Sequence, residues 1–370
     1  MRIGVPRERK DGECRVALTP DGARSLVAAG HQIMVERGAG ERVGFSDAAY
    51  VAAGARIAAD AASAFDCPLV VKVKELQRGE IALLNPATTV MGFAQLARDR
   101  ELLDAVLAAR IGLIGYETVG DGRGGLPLLA PMSRIAGRLA PLIAASLLMN
   151  DSGGAGVLLP GVDAIAPARV VIVGAGNVGS EASQVALALG ATVTVFARKQ
   201  ARLGLLRARC GGVAGERLST ALSDPETLAA AIAEADVLIG AVLEPGRLSP
   251  KLVSRAMLRA MRAGSVFIDV GIDHGGIGET SRMTSISAPT FVAEGVLHYG
   301  VANMPALVAR TATLALAQAA LPCVHRLAGQ GVAAALRIDA GLRAGLQVWD
   351  GAIVHPGLAA DVGLLVAPWQ

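Results

Sequence analysis

The run Val170-Val171-Ile172-Val173 is uninterruptedly apolar, and Gly174-Ala175-Gly176-Asn177-Val178-Gly179 follows it without a gap. No other stretch of the 370 residues limits the fold as tightly. A strand covered on both faces reads as such a run. A helix is expected from Ser180 to Leu189 and a second strand from Thr192 to Phe196, the order and spacing of a dinucleotide-binding βαβ unit. In that context Gly174 permits the tight turn, Gly176 lets backbone approach a pyrophosphate, and Gly179 permits close helix packing. Asn177 and Val178 complete the turn, with the phosphates at the helix N-terminus.

An acidic residue that holds the adenosine ribose is expected about 20 residues on, at the end of the second strand. Ala197 stands there, followed by Arg198 and Lys199, with Arg202 one turn further. Alanine accepts no hydrogen bond, whereas a cation cluster holds a 2′-phosphate. NADP(H) is therefore the preferred cofactor. NAD(H) is the alternative if these cations are only a solvated helix start.

Composition narrows the rest. Hydrophobic residues make up 52% and charged residues 18%, which places the chain among globular proteins. Its length suggests two domains. The apolar stretches are broken by Arg, Asp or Gly well short of the ~18 residues that a membrane span needs, so no membrane placement is expected. Met1-Arg2-Ile3-Gly4-Val5-Pro6 runs straight into charged residues with no apolar signal region, so the expected compartment is the cytoplasm. Net charge is +3 and aromatics are 3%, which argues against nucleic acid as a partner. Cys14, Cys67, Cys210 and Cys323 are scattered without metal-ligand spacing, and no metal is expected. Five lysines stand against thirty arginines, and two of the five are Lys72 and Lys74. A lysine in such a chain points to specific chemistry.

Short β-branched runs alternate with Ala/Leu-rich stretches over the first 130 residues, which implies βαβ units around a parallel sheet. Strands are expected at Arg2 to Pro6, Gln32 to Glu36, Pro68 to Lys74, Thr89 to Phe93 and Ile111 to Glu117. One long helix from Met132 to Met149 is a candidate connector between domains. Residues 156–162, an apolar stretch with flanking glycines, read as a protruding hairpin, either a plain connector or an oligomer contact. A second alternating region begins at Ala168. After Asn303 the chain is expected to be helical to about Leu346.

Several segments together resemble the bacterial alanine dehydrogenases and the related alpha subunit of proton-translocating transhydrogenase. They are Arg2 to Pro6 with Glu8, Glu13 to Pro20, Val71 to Glu75, Tyr116-Glu117-Thr118 and Leu128 to Ser133. The glycine turn, Ile239 to Leu243, Ile272 to Gly276 and Val301 to Pro305 continue the series in family order across nearly the whole chain. The resemblance implies an α/β fold in which a Rossmann nucleotide-binding domain, residues 131–303, is inserted in a second α/β substrate domain. That second domain is formed by both chain ends, residues 1–130 and 304–370, with the active site in the cleft between them. It also implies a homo-oligomer, commonly a hexamer, and a small amino, 2-oxo or imino acid as substrate.

Residue by residue, the resemblance assigns Arg15 and Lys74 to the carboxylate and carbonyl of a 2-oxo acid, a pairing suited to a small anion. Lys74 also counts as catalytic. Asp273 resembles the family's catalytic aspartate. Met132, Ser133, Asn303 and Met304 would line the nicotinamide and pyrophosphate region, Met132 and Asn303 also facing substrate. Ser219, Val242 and Leu243 would touch adenosine and ribose.

One departure matters. The family's catalytic histidine aligns with Gln95, in Gly92-Phe93-Ala94-Gln95-Leu96-Ala97. Glutamine orients a carbonyl but exchanges no proton near neutral pH. His274, beside Asp273, is either a compensating replacement or a surface histidine. The leading expectation is thus an NADP(H)-preferring amino-acid dehydrogenase or imine reductase that moves hydride to and from the substrate Cα. The alternatives are an ordinary NAD-dependent alanine dehydrogenase and a transhydrogenase-like nucleotide-binding subunit. A regulator that binds NADP(H) without turnover would require the chemistry of Arg15, Lys74 and Asp273 to be idle.

Overall fold

In the computed structural model, which describes residues 1–242 and 248–369, the apolar runs become strands of two parallel-dominated sheets, each within its own unit. One unit comprises residues 1–132 and 306–370, the other residues 133–305. The chain is α/β throughout. The first unit contributes β1 (Arg2–Val5), β2 (Gln32–Glu36), β3 (Arg56–Ala58), β4 (Leu69–Val71), β5 (Thr89–Gly92) and β6 (Gly112–Gly115). The second contributes β7 (Arg169–Val173), β8 (Thr192–Ala197), β9 (Leu218–Leu222), β10 (Val237–Gly240), β11 (Val266–Asp269), β12 (Thr290–Ala293) and β13 (Val296–Tyr299). The chain then returns to the first unit with β14 (Leu346–Trp349) and β15 (Ala352–Ile353).

The first sheet runs β15-β14-β6-β5-β4-β1-β2-β3 and the second β12-β13-β11-β10-β7-β8-β9. Each is doubly wound: the chain works outward from the middle to one side, then crosses over and works outward to the other, except that in the second sheet β12 forms the edge before β13 fills the place beside β11. The direction reverses between β1 and β4 in one sheet and between β7 and β10 in the other, and ligands of such sheets sit beyond the strand C-termini at that reversal. Antiparallel pairs occur at β6/β14, β14/β15 and β12/β13.

Side-chain alternation explains why β7 has no polar face. Val170 and Ile172 join Val193, Val195, Val237 and Ile239 on one side of the second sheet. Val171 and Val173 join Phe196, Leu238 and Phe267 on the other. Ala136, Ala140 and Ala144, four apart on the helix Ala130–Leu147, pack on the first of these faces.

Several boundaries differ from expectation. β4 ends at Val71, so Lys72 and Lys74 lie past the strand rather than on it. Residues 156–162 form no strand pair: the nearest pairing is a single bridge between Val162 and Ile165, and the expected hairpin is instead a turn-rich connector. The region after Asn303 is broken into the helices Ala309–Gln330, Val332–Ile338 and Ala340–Arg343. The stretch Met304–Gln330, interrupted by Arg310 and Arg326, is long and apolar enough to cross a membrane by length and composition alone. Its helix buries Ala312, Leu316, Ala320, Val324 and Leu327 at three- and four-residue spacing, the stripe by which a helix packs on a core.

Beyond the C-terminal ends of β1 and β4, Lys72 is fully enclosed, with Nζ 3.2 Å from Glu8 Oε2 and 2.9 Å from Glu80 Oε1. Glu8 Oε1 also accepts the Val73 N–H at 2.6 Å, which ties β1's end to β4's. Burial disfavours the ammonium charge, but Glu8 and Glu80 outweigh it and hold the Lys72 pKa above its ordinary value. Lys72→Met would leave two enclosed carboxylates without a cation and is expected to destabilise the protein by about 3–5 kcal/mol. Burial already raises the Glu8 carboxyl and the loss of its cation raises it further, so the deficit shrinks as pH falls through the carboxylate range. Urea unfolding at pH 7 and pH 5 measures both effects. An unchanged midpoint at pH 7 would contradict this account.

Candidate active site

The second unit carries the dinucleotide turn. Gly174 has φ +116, and a Cβ there would lie 2.4 Å from Ala241 O, just past β10. A Cβ on Gly179 would lie 1.8 Å from Gly174 O. At Gly176 the same position is open, with nothing within 4 Å. The helix Asn177–Ala188 opens at Gly176 without a side-chain cap, so its first N–H groups and the positive end of its dipole face outward. Two glycines here serve packing and the third leaves room, which fits a pyrophosphate.

Ala197 closes β8, and Arg198, Lys199 and Arg202 behind it are all exposed. Ser219 is displaced from this edge: it pairs with Thr194 in mid-strand, three residues before the Ala197–Leu222 end of the β8/β9 ladder. The serine at that end is Ser223, whose N–H donates to Ala197 O at 3.0 Å. Val242 is half-buried beside the glycine turn, and Leu243 lies outside the described residues.

Asp273 sits in a one-turn 3-10 segment, Val270–His274, immediately past β11. Its Oδ2 accepts the N–H of Asn303 at 3.4 Å, so two residues 30 positions apart meet. Asn303 adopts φ +65, a left-handed backbone that asparagine tolerates better than most residues. Met304 is buried in the core cluster beneath, and Ser133 is half-buried in the first turn of its helix. His274, also half-buried, ends the 3-10 segment.

The first unit holds the two cations expected to meet substrate, Arg15 and Lys74. Arg15, 1% exposed, donates from Nε to Glu13 Oε1 at 2.7 Å and from Nη2 to Glu13 Oε2 at 2.6 Å. Its Nη1 lies 3.1 Å from Met132 Sδ, which brings those two expected residues together. Lys74, 3% exposed, is 3.2 Å from Glu75 Oε2, and Glu75 is also ion-paired with Lys10. Burial would raise the Glu75 carboxyl, but Lys74 and Lys10 override it and hold the pKa below the ordinary value. Each cation thus has a carboxylate as neighbour, Glu13 for Arg15 and for Lys74 a Glu75 shared with Lys10, partners that residue-by-residue inference from the sequence did not assign.

Gln95 follows β5 with φ +48. Its N–H donates to Glu117 Oε1 at 2.9 Å, and the Ala94 N–H is 3.1 Å from both Glu117 oxygens. Burial pushes the Glu117 carboxyl up against the pull of these N–H groups and of Lys74. Glu117 therefore clamps the turn that presents position 95, a task invisible in Tyr116-Glu117-Thr118 read alone.

A doubly wound sheet with a dinucleotide turn, together with a second doubly wound sheet and the buried cations Arg15 and Lys74, is the architecture of a nicotinamide-dependent α/β oxidoreductase. Residues 4–136 match the family model described as alanine dehydrogenase/PNT, N-terminal domain, and residues 140–356 the one described as alanine dehydrogenase/PNT, C-terminal domain. The chain belongs to the alanine dehydrogenase/PNT family. It is 48% identical to the alanine dehydrogenase of Halomonas elongata over 98% of this chain and 97% of that protein. It is also similar to a solved L-alanine dehydrogenase, with TM-score 0.92 and 44% identity, covering 98% of this chain and 99% of that one. A transhydrogenase structure from Sinorhizobium meliloti shares the fold, with TM-score 0.79 and 24% identity, covering 96% of this chain and 99% of that one.

Proposed function

We propose that the protein is an alanine dehydrogenase, interconverting a small L-amino acid, alanine first, with its 2-oxo acid. The observation that carries this reading is the pair Arg15 and Lys74, both almost fully buried and each beside a carboxylate in one unit. Residues 131–303 serve as the nucleotide domain and the remainder as the substrate domain. The nicotinamide supplies and accepts the hydride. Arg15 offers a guanidinium edge to the substrate carboxylate while Glu13 fixes its plane, and Lys74 stabilises negative charge developing on the carbonyl oxygen. Gln95 orients that carbonyl by hydrogen bonding, and Asp273, anchored by the Asn303 N–H, holds the amine or water whose proton moves. Several copies of the chain assemble in the working enzyme.

The relatives' names favour ordinary alanine chemistry over the reduction of a preformed imine. Gln95 supports the imine reading, since an imine needs less acid/base help. In the assay, purified protein is given L-alanine with NAD or NADP, and in the reverse direction pyruvate plus ammonia beside a panel of cyclic imines. Turnover of alanine and pyruvate supports the proposal; turnover of imines alone overturns it.

The cofactor reading rests on Ala197 with the exposed Arg198, Lys199 and Arg202, which suit a 2′-phosphate. NADP(H) is expected to be preferred. Ala197→Asp restores an acceptor for the ribose hydroxyls and repels a phosphate, so the ratio of kcat/KM for NAD over NADP should rise about 10- to 100-fold, the worth of one charged hydrogen bond. A wild-type preference for NAD would refute this part while leaving the alanine reading intact.

A further inference from the structure

The loop that presents Asp273 is held by a strap with no assigned task. Residues 249–253 run beside residues 274–278, and five successive loop carbonyls are all taken up by the strap. Ser249 N–H donates to His274 O at 2.7 Å, and Leu252 and Val253 N–H donate to Ile277 O at 2.8 and 3.1 Å. The remaining three carbonyls converge on one atom: Lys251 Nζ lies 2.7 Å from Gly275 O, 3.0 Å from Gly276 O and 2.9 Å from Gly278 O.

The opposite side of the loop is held by Asp269, 3% exposed at the end of β11. Its Oδ2 accepts the N–H of Ile277 at 2.7 Å and the hydroxyl of Ser281 at 2.5 Å, with the Gly278 N–H at 3.4 Å. Gly275 and Gly276 adopt φ +90 and +71, so the chain doubles back there with its carbonyls converging. Such convergent dipoles repel one another unless a cation is placed among them. An ammonium has three donors on one atom and matches this arrangement, whereas a planar guanidinium spreads its donors over a fork.

We infer that Lys251 is a positioning residue for Asp273: by gathering the carbonyls of Gly275, Gly276 and Gly278 it fixes the loop whose preceding turn aims the Asp273 carboxylate. This rests on the proposed role of Asp273 in alanine turnover. It also accounts for one more of the five lysines in a chain that otherwise uses arginine.

The test is a double-mutant cycle on the full-length protein with L-alanine turnover as readout. Lys251→Met is expected to lower kcat about 10- to 100-fold, the range that misplacement of a reacting group by an ångström costs. The dissociation constant for reduced nicotinamide dinucleotide, read by its fluorescence, should change less than twofold. In an Asp273→Asn background the same substitution should cost nothing further, because a residue that acts through another shows no separate effect once that other is gone. Lys251→Arg, which keeps charge and stem, is expected to show most of the loss and keeps the cycle informative if the methionine variant folds poorly. An undiminished kcat, or a loss that multiplies with that of Asp273→Asn, overturns the inference. The failure of the underlying reading looks different: Asp273→Asn alone would then turn over alanine at the wild-type rate.

Discussion

Gly179→Val is expected to abolish useful nucleotide binding and to destabilise the second unit, whereas Gly176→Ala is expected to lose binding alone. At Gly179 an added Cβ lands 1.8 Å from the Gly174 carbonyl oxygen, a backbone atom that cannot rotate away. The turn must open, at a cost of about 1–3 kcal/mol for forced overpacking, and the helix N-terminus moves with it. Loss of one or two charged hydrogen bonds to a phosphate is worth about 1.5–3 kcal/mol each, so affinity should fall ~100-fold or more. At Gly176 nothing lies within 4 Å, so the extra methyl enters only the space a pyrophosphate would fill. Thermal midpoints and fluorescence titration with reduced dinucleotide separate the two variants. Equal midpoints for both, or wild-type affinity in Gly176→Ala, would refute the assignment of this turn to a nucleotide.

Lys74→Met is expected to lower turnover of alanine about 10²- to 10³-fold, as removal of one preorganised charge beside a developing oxyanion does elsewhere. Reduced-dinucleotide affinity should be unchanged, because the turn that holds it belongs to the other unit. Glu75 keeps Lys10 as an ion-pair partner through Oε1, so its charge stays paired and the fold should survive. This contrasts with Lys72→Met, two residues away, where enclosure is complete and stability is the property lost. Lys74→Arg should not rescue turnover, since the wider fork does not fit where a compact ammonium sits. Steady-state kinetics decide the matter: less than a tenfold fall in kcat/KM would remove Lys74 from the chemistry.

Much of the architecture was legible in the sequence because it rests on periodicity. The unbroken run Val170 to Val173 and the glycine spacing behind it place β7 and its helix without reference to the rest of the chain. Strands buried on both faces behave alike. Weakly patterned strands did not declare themselves: Arg56–Ala58 has three residues, and Leu218–Leu222 is a half-exposed edge. The candidate site divides in the same way. Arg15, Lys74 and Asp273 were singled out by the family resemblance, Lys74 also as one of only five lysines. Their partners Glu13, Glu75, Glu117 and Lys251 were not, because what makes them matter is a contact across a turn. Gln95 shows a further limit: its substitution for histidine is plain in the sequence, but the left-handed backbone and the Glu117 clamp that present it appear only once the chain is folded.

The order in which the strands leave the ribosome differs for the two units. Residues 133–305 are contiguous, so the second sheet has every strand in hand as soon as Tyr299 has emerged. The first sheet waits for β15 and for β14, which begins at Leu346 and covers β6. Until then β6, the fully buried run Gly112–Gly115, stands as an uncovered edge with its backbone donors and acceptors unpaired on one side. A nascent chain truncated between these points therefore carries one finished sheet and one adhesive edge, and its last 25 residues act as the piece that seals it.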